Sequence, residues 1–154
     1  MSRLCKGLLG VLLSLGLMGG FGASGYASLG QYPHDNRDPA TTGCDSGANT
    51  PSGSYTVQGD QGYVELRYSP GCTTAWARFT CVHPIYPYNV CFNYMFKVVR
   101  GIDGATIVKN VSDGTPVGAH TWTAMVWDYG SIQSQACILK FVIRYYVWAC
   151  TAWY

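Results

Sequence analysis

Six cysteines constrain this chain more than any other feature. Cys44, Cys72, Cys81, Cys91, Cys137 and Cys150 follow an N-terminal leader that holds the seventh, Cys5. The leader sets Arg3 and Lys6 ahead of an uncharged apolar run, Leu8–Met18, which ends in the helix-breaking stretch Gly19-Gly20-Phe21-Gly22. Small residues at Gly25 and Ala27 predict cleavage after Ala27, so residues 1–27 read as a removable secretory signal peptide. The run is shorter than the roughly 20 residues of a membrane span, and no stable membrane insertion is expected after cleavage. Cys5 precedes the run and is misplaced for lipid attachment. The even number that remains, in an exported chain, reads as three disulfides, each worth about 3 kcal/mol through restriction of the unfolded chain. No pair has the short C-x-x-C spacing of a zinc or redox site, so neither a metal nor a cofactor is expected.

Charge narrows the partners. The full chain carries ten Lys and Arg against eight Asp and Glu, and losing Arg3 and Lys6 with the leader leaves eight of each. A neutral chain with scattered basic residues has no electrostatic footprint for a phosphate backbone, which excludes nucleic acid as a partner. Abundant aromatics and glycine, with few charges, suit a β-rich secreted domain.

After a short flexible arm at residues 28–33, residues 34–154 read as one β domain. Asp38 before Pro39 is an N-cap followed by a first helical position, and Gly43 terminates that turn, so one short helical turn is predicted ahead of Cys44. Asp35, Asn36, Asp38 and Asp45 could together ligate calcium, but no EF-hand spacing exists and capping explains them more simply. Strands are predicted at Ser54–Gln58, Tyr63–Ser69, Ala75–Phe79, Val90–Arg100, Ala105–Val111 and Val117–Trp127. Gly59–Gly62, Ser69–Gly71 and Gly101–Gly104 serve as hairpin turns. Thr80–Asn89 is a connection, because Pro84 and Pro87 cannot donate to a ladder.

The hairpin Tyr63–Phe79 carries the clearest pattern. Val64, Leu66, Ala75, Ala77 and Phe79 fall on one face and make the core, whereas Glu65, Arg67, Trp76 and Arg78 fall together on the other. That outer group is either a solvated sheet face with a Glu65–Arg78 or Glu65–Arg67 pair, or a platform for a ligand. Glu65, Arg67, Trp76 and Arg78 are therefore the candidate binding residues.

The run Asp38-Pro39-Ala40-Thr41-Thr42-Gly43-Cys44, then Glu65-Leu66-Arg67-Tyr68-Ser69, Cys72 and Trp76-Ala77-Arg78, resembles the YjfA-like secreted bacterial proteins, domain of unknown function family 2690. The likeness spans His34–Phe79, beyond which the chain departs from the family's usual look. It implies a bacterial source and, since related proteins carry the domain outside the membrane behind a cytoplasmic helix-turn-helix regulator, an extracytoplasmic binding or sensing module. It carries over no catalytic residue. It also implies a Cys44–Cys72 bridge, and it puts His34 where the family commonly has a further cysteine.

Gln135–Thr151 is the most apolar segment. Cys137, Leu139, Phe141, Ile143, Tyr145, Val147 and Ala149 alternate with Lys140 and Arg144, the pattern of one long central strand. On such a strand Cys137 and Cys150 stand ~40 Å apart at ~3.3 Å per residue, too far to be bridged. With Cys44–Cys72 taken from the resemblance, Cys81 and Cys91 are then expected to partner Cys137 and Cys150 in either order.

Catalytic chemistry is weakly signalled. His34, His83 and His120 are available, and His120 with Asp103 or Asp128 could serve a Ser or Thr, but no nucleophile elbow or Cys–His signature appears. Glu65 is the only Glu, which disfavours a pair of carboxylates for glycoside hydrolysis. Exposed aromatics offer the better lead, with Trp122 and Trp148 assigned to the core and Trp153 and Tyr154 left outside it. The expectation is a disulfide-stapled all-β antiparallel sandwich or small barrel of seven to nine strands, secreted and extracellular. It would act as a noncatalytic or envelope-associated module binding an extracellular protein, peptide or glycan; a small secreted hydrolase or toxin-like enzyme is the alternative.

Overall fold

The structure, a computed structural model, describes residues 30, 32–52, 56–84, 87–111, 114–142 and 145–154. The expected signal peptide and its cleavage position lie outside the described residues, as do Ser54 and Tyr55 of the first predicted strand. One helical turn, α1 (Pro39–Thr42), precedes the strands. Asp38 caps it, its Oδ1 accepting from the amides of Ala40 and Thr41 at 2.8 and 3.1 Å, and Gly43 ends it in the left-handed region at φ 76°.

Two antiparallel sheets then stack as a sandwich. The first contains β1 (Thr56–Gln58), β2 (Gly62–Ser69), β3 (Thr74–Cys81), β8 (His120–Trp122) and β9 (Val126–Trp127), ordered β1-β2-β3-β8 with β9 also on β3. The second contains β5 (Tyr94–Arg100), β6 (Thr106–Val111), β10 (Ser134–Val142) and β11 (Tyr145–Cys150), ordered β11-β10-β5-β6. A small ladder joins β4 (Val90–Cys91) to β7 (Thr115–Pro116).

Between the sheets lie Val64, Leu66, Ala75, Ala77 and Phe79 from the first and Tyr94, Phe96, Val98, Ala136 and Ile138 from the second. The period-two reading of the central hairpin therefore holds, with Val64 opposite Phe79 and Leu66 opposite Ala77. Phe79 stacks on both Tyr94 and Phe96, at ring-centroid separations of 5.6 and 5.7 Å. Gly62 opens β2 because a Cβ there would meet the Thr80 carbonyl and the Phe79 ring.

Three predicted strands are broken. Asn93, in the left-handed region at φ 55°, divides Val90–Arg100, sending β4 to β7 and β5 into the second sheet. Val117–Trp127 divides at Thr123–Met125, where Thr123 exchanges hydrogen bonds with the Ala77 backbone and Met125 turns to the N-terminal segment, pairing with Asn36 and Arg37 at 2.9 Å each.

The third break corrects the disulfide framework. Gln135–Thr151 is not one strand: β10 and β11 pair antiparallel, with Val142 opposite Tyr145 and Cys137 directly opposite Cys150. Cys137 and Cys150 are thus bridged, with Cα atoms 4.0 Å apart, and Cys81 pairs with Cys91 across the intervening loop at 5.8 Å. Both pairings contradict the expected connectivity, whereas Cys44–Cys72, implied by the family resemblance, is present at 5.7 Å. Reversal also swaps faces along the segment. Ala149 packs on the core opposite Ile138, while Trp148 stands opposite Leu139 on the outer face, 36% exposed and beneath the Lys97 ammonium. Trp148 is therefore not a core residue.

Peptide mapping of the unreduced protein should yield three cross-linked fragments joining Cys44 to Cys72, Cys81 to Cys91 and Cys137 to Cys150; a fragment joining Cys81 or Cys91 to Cys137 or Cys150 would contradict this topology.

A covered cleft on the outer face of the hairpin

The four candidate binding residues do converge, but not on a solvated face. Glu65 stands directly opposite Arg78, and Arg67 opposite Trp76, on neighbouring strands β2 and β3. Trp76 is only 3% exposed and Glu65 8%. The reason is the segment 34–48, which Cys44–Cys72 ties across this face. Beneath it Cys44, Trp76 and Met125 form a second small core, flanked by Ala48, Cys72 and Trp122. The central strand β3 is consequently covered on both faces, which is why it does not alternate between buried and exposed positions.

Burial makes the charges pair. Glu65 Oε1 contacts the Arg78 guanidinium and lies 3.8 Å from Arg67 Nη1, so one carboxylate sits between two cations. Arg67 also donates from Nη1 to Thr50 Oγ1 at 3.0 Å and from Nη2 to the Ala48 carbonyl at 2.5 Å, stitching the loop after α1 to β2. Burial and then the neighbouring Arg78 charge lower the Arg67 pKa, an effect Glu65 partly opposes. The Nε–H groups of both arginines are buried without an acceptor among the described residues.

These groups floor a cavity of about 150 Å³, bounded by Arg67, Trp76, Arg78, His120 and Trp122, with Pro39 and Asp45 from the covering segment. Trp122 is oriented by its indole N–H, which donates to Asp38 Oδ2 at 3.1 Å. Asp38 thus caps α1 and fixes one cleft wall. His120 is held by a 2.9 Å hydrogen bond between Nδ1 and Thr80 Oγ1, its register partner on β3. Two guanidinium groups beside two indoles can grip a planar anionic group while stacking on its body. Pro39 is not legible as a site residue, Trp122 reads as core and His120 only as a possible base, because the fold brings all three to the hairpin from distant segments; the cap signal at Asp38-Pro39 is the available clue.

Asp35, Asn36, Asp38 and Asp45 do not assemble into a calcium site. Asp35 pairs with Arg100, Asp38 serves α1 and Trp122, and Asp45 lines the cleft. Among the described residues the side chains close enough to share a metal are His34, Cys44 and Cys72, whose two sulfurs are already joined in a disulfide.

The comparisons with known proteins bear on this unit directly. The profile of the protein of unknown function family DUF2690 matches residues 33–137. The chain belongs to this family. The match runs from the covering segment to Cys137, well past Phe79, so the family pattern takes in β5, β6 and the start of β10 as well as the hairpin. No curated protein and no solved structure matches the chain.

Of the two aspartates considered as partners for His120, Asp103 instead binds Arg100, which holds its carboxyl below the usual carboxylate range. Asp128 lines a different cavity and is 4% exposed, and burial raises its pKa to about 6, an effect that the neighbouring Ser134 hydroxyl partly offsets. A carboxyl whose pKa is higher folded than unfolded stabilises the fold less as pH rises. The loss begins above about pH 4 and is complete above about pH 6, worth at most about 3 kcal/mol for a shift of this size. Asp128→Asn should therefore be more stable than the wild type at pH 7, with the difference shrinking toward zero by pH 4. Chemical denaturation at several pH values checks this, and a pH-independent difference would contradict it.

Proposed function

We propose that this DUF2690 protein is a secreted, noncatalytic binding module whose ligand is engaged in the covered cleft of the Tyr63–Phe79 hairpin. The observation that carries the reading is the pair of half-buried side chains, Arg67 and Arg78, beside Trp76 and Trp122, with their buried Nε–H groups unmatched by any acceptor among the described residues. Buried donors of this kind are costly to leave unpaired, and an entering carboxylate would satisfy them. Three disulfides and a leader with secretory features support an extracellular setting.

Size refines the ligand. At about 150 Å³ the cleft is smaller than the roughly 300–1,000 Å³ of typical small-molecule sites, so it fits one protruding group of a larger partner. Among the described residues Glu65 alone pairs with the two arginines, the lining carboxylate Asp45 being exposed, and indole walls favour a flat or apolar body. These features together favour a carboxylate-bearing residue of a peptide or a uronic-acid unit of a glycan. His120 spends Nδ1 on the Thr80 hydroxyl, an orienting role for a wall of the cleft.

Calorimetric titration of the oxidised protein with acidic peptides and uronate oligosaccharides, run beside substrate-depletion assays, tests the proposal. Saturable binding without turnover is expected, and Arg78→Gln should weaken it by about tenfold or more, the loss of one charge-assisted contact. Turnover would favour the hydrolase alternative. Binding that survives Arg78→Gln intact would make the hairpin scaffold and place the site elsewhere.

A further inference from the structure

We propose that the cleft between Tyr68, the 128–133 loop and Tyr154 is a second binding site, specific for an organic ammonium group. Its cavity measures about 430 Å³, within the ordinary range of small-ligand sites, and its lining includes Tyr68, Asp128, Gln133 and Tyr154 but no Lys or Arg. Asp128 is held there by its own amide, which donates to the Thr73 carbonyl at 2.9 Å, while its Oδ2 has no hydrogen-bond partner among the described residues. The ion pairs of the described residues are made by Glu65, Asp35 and Asp103, not by Asp128. Asp128 is thus a buried carboxylate that neighbours the Ser134 hydroxyl and has no counter-charge among the described residues.

The walls supply the rest of the chemistry. Tyr68 and Tyr154 pack edge to face with ring centroids 5.1 Å apart, and Tyr129, exposed beside the mouth, leans on Trp127 at 6.1 Å. Aromatic faces around a carboxylate attract a desolvated organic cation through the ring quadrupole. Backbone hydrogen bonds between Ser134 and Tyr154, at 3.1 and 3.0 Å, hold Tyr154 against the start of β10, so the walls are preformed. A single carboxylate among tyrosines is a poor cage for calcium or magnesium, which take six or more oxygen ligands, and its charge repels anions. A primary ammonium, as on a lysine side chain or polyamine, and a quaternary ammonium share the required chemistry. The Asp128 charge acts on the Tyr68 phenol, as do those of Tyr129 and Tyr154, and the Ser134 hydroxyl neighbours the Asp128 carboxyl; the Asp35 carboxylate accepts from the amide of the preceding residue, Trp127, at 2.7 Å.

The test is an NMR titration of the oxidised protein, following the amides of residues 128–134 and the Asp128 carboxyl carbon. Three probes separate the sources: n-butylammonium, tetramethylammonium and, as the neutral control, n-butanol. Saturable shifts from either cation but not from n-butanol are expected, and the preferred cation identifies the primary or quaternary source. Bound cation should lower the Asp128 pKa in the wild type, and Asp128→Asn should weaken binding by about tenfold or more while remaining folded. Absence of saturable shifts from both cations, equal binding of n-butanol, an unmoved Asp128 titration or undiminished binding by Asp128→Asn would each overturn the proposal.

Discussion

A guanidinium with no exposed surface organises the molecule. Arg100, at the end of β5, is 0% exposed and donates to both oxygens of Asp35 at 2.8 Å and to Asp103 at 2.9 and 2.6 Å, with the Tyr32 ring 4.7 Å from its carbon. Burial alone would lower its pKa; the hydrogen bonds and charges of Asp103 and Asp35 outweigh that and raise it. A buried charge of this kind is tolerable only when fully paired, and removing one partner typically costs about 3–5 kcal/mol. Through Asp35 the N-terminal segment is thereby fastened to the second sheet, and Asp35 also takes the Trp127 amide from β9.

That anchor and the Cys44–Cys72 bridge act at the two ends of one cover. Between them the segment lies on the hairpin, adds the Asn36 and Arg37 backbone contacts to Met125 and closes the small core around Trp76. Without the cover, Glu65, Arg67, Trp76 and Arg78 would be an open sheet face whose ion pairs are worth a fraction of a kcal/mol. With it, the same side chains become the floor of a cleft in which every unpaired donor matters.

Much of this was legible in residue order. The helical turn at Asp38-Pro39, the two faces of Tyr63–Phe79 and the all-β sandwich follow from capping chemistry and period-two alternation, which are local. The reversal near residues 142–145 was not, because Val142 to Tyr145 contains no Gly, Pro, Asn or Asp to mark a turn and the apolar alternation runs on through it. Burial of Trp76 was equally hidden: alternation shows that a face is shared and says nothing of what covers it. Arg100 and Asp35 are 65 residues apart, and no periodicity links them.

The N-terminal cover is a separately anchored layer held by Arg100. Native-state hydrogen exchange of Arg100→Met measures this most directly, through the amides of Asn36 and Met125 compared with those of the central strands β5 and β10. Asn36 and Met125 are expected to lose protection by opening of the cover alone, while the central strands stay protected up to global unfolding. Unchanged protection of Asn36 and Met125 relative to the central strands would contradict it.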